Sequence, residues 1–164
     1  AQSFFVPRKR KLEDGTIASS DGIFITGGEV FVRTKDDTIP LNISIRTMQN
    51  GTPTKIIVPF GEVDVDPSDI EVSDDGSIGT KFTFKSPVYL QSDYEYALIL
   101  YAPTPAYNVF ITRMGEVDLL TKKLNDKQPT LGSLFKSQNA STWTPSQYED
   151  LKFKLNKAKL LKYL

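Results

Sequence analysis

The amino-acid sequence predicts an all-β fold: an antiparallel β-sandwich of jelly-roll-like layout with about eight or nine strands. Three observations carry this expectation. Apolar and polar residues alternate over most of the chain, the period of a half-buried strand. Turn chemistry recurs between the alternating runs. The helical periods of roughly 10–15 residues that a βαβ fold needs between its strands are missing.

The elements follow in order. From Gly22 to Thr34, Ile23 and Ile25 and then Val30 and Val32 occupy alternating positions, and Gly27-Gly28 interrupts them. A bulge or tight bend is the simplest reading of that pair. Ile39, Leu41, Ile43 and Ile45 alternate with Pro40, Asn42, Ser44 and Arg46, the cleanest half-buried strand in the chain. Asn50-Gly51-Thr52-Pro53 supplies a turn, because Asn and Gly tolerate positive φ and Pro presets a corner. Ile56-Ile57-Val58 is a short apolar run, and Val63 and Val65 alternate with Asp64 and Asp66. Asp66-Pro67-Ser68-Asp69 and Asp74-Asp75-Gly76 read as turns.

Lys81 to Lys85 is a strand with Phe82 and Phe84 on one face. Pro87 ends that strand, and Val88 and Leu90 restart the alternation. Tyr94 to Ala102 is apolar on both faces, as a central strand would be. Tyr107 to Arg113 follows after Pro103 and Pro105 break the pairing. Asp118 to Pro129 is polar and reads as a long loop, while Leu131 to Lys136 and Leu151 to Leu155 read as closing strands. The whole, residues 1–164, is expected as a single sandwich domain, with 1–21 an N-terminal arm or loop and 156–164 a C-terminal tail or short helix.

Composition narrows the chemistry. Lys plus Arg and Asp plus Glu both number 20, so no bulk charge draws the chain to nucleic acid or to an anionic membrane. There is no Cys and no His. Disulfides, Cys-ligated zinc and every Ser-His-Asp or Cys-His arrangement are thereby excluded. No run approaches the roughly 18 apolar residues of a membrane-spanning helix. Neither GxxxxGK[ST] nor GxGxxG occurs, and no cofactor is expected.

Four constellations remain. Glu62, Asp64, Asp66, Asp69 and Glu116 hold the carboxylates that glycoside hydrolysis would need, but turn-capping aspartates are the simpler account. Asp64, Asp66, Asp69 and Asp74-Asp75 offer oxygens for calcium without the spacing of an EF-hand loop, so neither a metal site nor a catalytic one is expected. Tyr101, Tyr107, Trp143 and Tyr148 lie near turns and are the candidate contacts for a glycan or a partner, although Trp143 also reads as a core residue between closing strands. Arg8-Lys9-Arg10-Lys11 is a basic run followed at once by Glu13-Asp14, and reads as a solvated surface loop.

Several segments together resemble a recurring domain of large virion structural proteins from contractile-tailed bacteriophages, including those that infect cyanobacteria. They are Ala1 to Val6, Gly22 to Thr26, Lys35 to Pro40, Pro67 to Asp69, Phe82 to Leu90 and Tyr94 to Leu98. The most specific stretch is Leu134-Phe135-Lys136-Ser137-Gln138-Asn139-Ala140-Ser141-Thr142-Trp143-Thr144-Pro145, followed by Asp150 to Lys154. The sequence departs from that pattern at Pro7 to Ser20, where the basic segment is unusual.

The resemblance implies a jelly-roll-like module in a baseplate or tail-fibre protein, one piece of a longer chain. It implies a non-catalytic structural role in the virion, with assembly in the host cytoplasm. The expected partners are other tail or baseplate proteins and further copies of the chain; nucleic acid and a membrane span are not expected. The alternative is a carbohydrate-binding module that recognises a host surface glycan, and a polysaccharide hydrolase is the third reading.

Overall fold

The computed structural model describes residues 1–11, 14–113 and 132–158. Along these residues fifteen strands form. They are β1 (Gln2–Phe5), β2 (Lys9–Lys11), β3 (Ile17–Ser19), β4 (Gly22–Val30), β5 (Val32–Thr34), β6 (Leu41–Gln49), β7 (Thr52–Val65) and β8 (Thr80–Gln91). There follow β9 (Glu95–Tyr101), β10 (Asn108–Val109), β11 (Ile111–Arg113), β12 (Leu134–Lys136), β13 (Thr144–Ser146), β14 (Glu149–Leu151) and β15 (Phe153–Lys157). One 3-10 turn, Pro67–Asp69, stands where the Asp66-Pro67 corner was expected. The strand count exceeds the expected eight or nine because many of these strands hold only two to four residues.

The protein is an antiparallel β-sandwich. One layer is a six-stranded sheet in the order β13-β12-β1-β9-β6-β7, and the other is built on a three-stranded sheet, β15-β4-β8. Two short pairings, β10 with β5 and β11 with β14, extend the second layer. The chain crosses repeatedly between layers, as in passing from β5 to β6, from β7 to β8 and from β8 to β9.

Period-two burial places the core between the sheets. Leu41, Ile43 and Ile45 of β6 are buried with Ile25 and Val30 of β4 and with Phe82, Phe84, Val88 and Leu90 of β8. The rings of Phe82 and Phe84 meet edge to face, 5.6 Å between centroids. Burying each ring contributes about 1.5–3 kcal/mol. Ala97, Leu98 and Ile99 of β9 are all buried, which accounts for a segment apolar on both faces between β1 and β6.

Several register shifts shape the sheets, and two of them are long. Ile25 pairs with Val88 and Gly27 with Thr83, so Phe84, Lys85, Ser86 and Pro87 of β8 lie opposite the single Thr26. Pro87 does not end the strand; it sits in this bulge and the pairing continues past it. Gly27 and Gly28 are squeezed from both sides. A Cβ on Gly27 would run into the carbonyl oxygen of Phe82, and one on Gly28 into that of Lys154. The second long shift lies in the β6–β7 hairpin, where Val58, Pro59, Phe60 and Gly61 lie opposite Ile45, and a shorter one in the same hairpin sets Thr54, Lys55 and Ile56 opposite Thr47. That hairpin turns at Asn50 and Gly51, both at positive φ, as the two-residue turn requires.

The N-terminal stretch 1–21 is not an arm or loop. β1 is an inner strand, paired with β9 on one side and β12 on the other. Its polar Gln2 is fully buried because it is satisfied: its side chain donates to Asp150 at 2.9 Å and accepts from the Leu151 amide at 2.8 Å. The basic run is not a loop either. Lys9–Lys11 pairs with Ile17–Ser19 as a hairpin, anchored where Arg8 bridges Asp21 (2.6 Å) and Asp93 (2.7 Å). At the other end Asn156 and Lys157 belong to β15, and 159–164 lie outside the described residues, as does the expected loop Asp118 to Pro129. Among the described residues no helix is long and apolar enough to cross a membrane.

Candidate functional site

Strand register brings polar side chains from three strands into one row. Asn42 of β6 stands opposite Tyr101 of β9 on one side and Asp64 of β7 on the other. One step along, Ser44 pairs with Glu62. Side chains two residues apart share a face, so Asn42 and Arg46 point away from the face that carries Leu41, Ile43 and Ile45. A cleft of about 620 Å³ opens over this row. Its walls include Pro40, Pro103 and the loop at Asn139 to Ser141.

Asn42 organises the acidic side of the cleft. Its amide donates to Glu62 Oε1 at 3.0 Å and to Asp64 Oδ1 at 2.8 Å, which fixes both carboxylates. They stand side by side on one strand and share one amide. A glycosidase pair must instead flank the scissile bond. Lys55 lines the same cleft, so two cations, Arg46 and Lys55, face two anions, Glu62 and Asp64.

Arg46 holds one wall. Its Nη1 donates to the carbonyl of Ala140 at 2.8 Å and reaches that of Thr54 at 3.5 Å. Ala140 sits at positive φ, inside a turn in which Asn139 Oδ1 accepts from the amides of Ser141 (3.0 Å) and Thr142 (2.9 Å). Arg46 Nε is buried and has no hydrogen-bond partner among the described residues. An unmade buried bond costs about 1–3 kcal/mol, and the contacts of Nη1 with the Ala140 and Thr54 carbonyls stand against it.

Asp36 braces the opposite wall. Its Oδ1 accepts from the amides of Thr38 and Ile39, both at 2.8 Å, and its Oδ2 accepts from Thr104 Oγ1 at 3.1 Å. These bonds, led by that from the Ile39 amide, hold its carboxyl down at about 2. The brace ties the segment before Pro40 to the segment after Pro103.

Of the aromatic candidates, Tyr101 alone lines the cleft, 40% exposed. Tyr107 packs against the core and donates its hydroxyl to the Ile39 carbonyl. Burial and the nearby Asp36 charge push its phenol above the usual range. Trp143 is half-buried just before β13, outside the core cluster, and Tyr148 is 63% exposed in the turn between β13 and β14. The four rings therefore form no common platform.

The remaining candidates are dispersed. Asp66 precedes the 3-10 turn and Asp69 ends it, while Asp75 accepts from the Ser77 amide at 3.0 Å. Among the described residues no three acidic side chains converge to hold a metal ion. Glu116 lies outside the described residues. Comparison with known proteins finds no matching family model, no matching curated protein and no matching solved structure.

Proposed function

We propose that this chain is a non-catalytic interaction module of a bacteriophage tail, baseplate or tail-fibre assembly. The reading rests on the sequence resemblance across most of the chain, and one structural observation supports it. Phe60 is 64% exposed at the tip of the β7 bulge, with φ at +66°. An aromatic residue in the left-handed region is strained by roughly 1–2 kcal/mol. Strain of this kind collects at functional positions. Ile56 on the same edge strand is equally exposed. Aromatic anchors that leave water on docking carry much of the energy of protein interfaces.

The partners are other virion tail proteins, joined by further copies of this chain, and the place of action is the virion after assembly in the host cytoplasm. Light scattering of the chain mixed with purified tail and baseplate proteins tests the reading. The expected result is a defined complex that Phe60→Asp weakens about ten-fold or more, with the thermal midpoint of the free chain unchanged. A chain that docks to no tail component, or docking indifferent to Phe60→Asp, overturns it.

A further inference from the structure

We propose that the cleft over β6 binds a neutral oligosaccharide. The inference stands on the cleft alone and does not need the tail-module reading. Three features carry it.

The first is the row Tyr101, Asn42, Asp64, set by the pairing of β9, β6 and β7. Neighbouring strands lie roughly 4.8 Å apart, so the row spans about 10 Å and suits an extended chain of sugar rings. Tyr101 offers an apolar ring with a polar tip at one end. Asn42 and Asp64 offer hydrogen-bonding groups along the rest.

The second is charge. Arg46 and Lys55 balance Glu62 and Asp64, so the cleft attracts neither an anion nor a cation as a whole. It does present donors and acceptors interleaved. A polyol, whose hydroxyls both donate and accept, matches that surface; a phosphate or a polyamine matches only half of it.

The third is preorganisation. Asn42 already fixes the two carboxylates, Arg46 is held by the Ala140 carbonyl, and Asp36 joins the two proline walls. Side chains ordered before binding lose little freedom when a ligand arrives. The volume of about 620 Å³ lies within the ordinary range for small-ligand sites.

The test is an array of neutral, anionic and cationic oligosaccharides probed with the whole chain, followed by calorimetric titration of the best neutral hit. Neutral glycans should be retained in preference to charged ones. Tyr101→Ala and Asn42→Ala should each weaken binding about ten-fold, and Tyr101→Phe should keep most of it. Circular dichroism and the thermal midpoint of each variant separate a lost contact from a lost fold. Retention of no neutral glycan, retention of anionic glycans only, or binding indifferent to both alanine variants overturns the proposal. Failure to dock to tail proteins leaves this result untouched, so the two readings fall separately.

Discussion

The two long bulges of this sandwich share a count, a proline and a phenylalanine and differ in what they present. In each, four residues of an edge strand lie opposite one residue of its partner, and in each a proline removes a ladder donor: Pro87 in β8, Pro59 in β7. The β8 bulge turns Phe84 inward against Phe82, with β8 free of positive φ. The β7 bulge turns Phe60 outward and holds it in the left-handed region. The first bulge keeps an interrupted strand in phase with the core. The second sets an aromatic ring in water at a cost that packing does not offset. The same four-to-one count thus serves stability in one place and presentation in the other.

The largest effect that separates them is expected from truncating the rings. Phe84→Ala should cost about 3–5 kcal/mol in urea unfolding, because it empties a packed site. A loss below about 1 kcal/mol would show that the β8 bulge does not serve the core. Next, Gly27→Ala sets a methyl against the Phe82 carbonyl beside the same bulge. It should cost about 1–3 kcal/mol or prevent folding, read by the same titration. Unchanged stability there would mean that the register shift can relax. The smallest effect belongs to Phe60→Gly. Relief of the left-handed strain and the added freedom of glycine in the unfolded chain nearly cancel, so stability should stay within about 1 kcal/mol. A large loss would mean that Phe60 packs on something and is not there for presentation.

The same contrast governs what the sequence made legible. The β6 alternation, the Asn50-Gly51 turn, the Gly27-Gly28 interruption and the inward Phe82 and Phe84 were all readable, because each is a local pattern. β1 was not readable as a strand at the centre of a sheet. Gln2 and Ser3 look like surface residues, and their burial depends on partners such as Asp150, Leu151 and Ser133 that are far away in sequence. The cleft was harder still. Asn42, Arg46, Glu62 and Asp64 occupy the outward positions that alternation assigns to solvent. Continuing the register of the Asn50-Gly51 turn without interruption would place Asn42 opposite Pro59. The bulges put Asp64 there instead. Of the site, Tyr101 is legible as an aromatic near a turn, and Glu62 and Asp64 as carboxylates beside the Val63 and Val65 alternation. The Asn42 amide that these carboxylates share is not legible, because it stands on a different strand and is set opposite them only by the register. Turn chemistry at both ends of β7 hinted at a hairpin, but nothing local gives the length of a bulge.

β1 has a consequence for how the molecule comes into being. Gln2 lies between Leu98 and Leu134, so the residues of β1 must wait for segments made much later before their backbone groups are matched. Ordering so distant a meeting slows a domain, and all-β proteins of this kind fold in milliseconds to seconds, not microseconds. During synthesis the six-stranded layer stays open along the line of β1 until β12 has emerged. Shortening the chain at its first few residues would therefore take the middle out of a sheet and leave two unsatisfied edges facing one another.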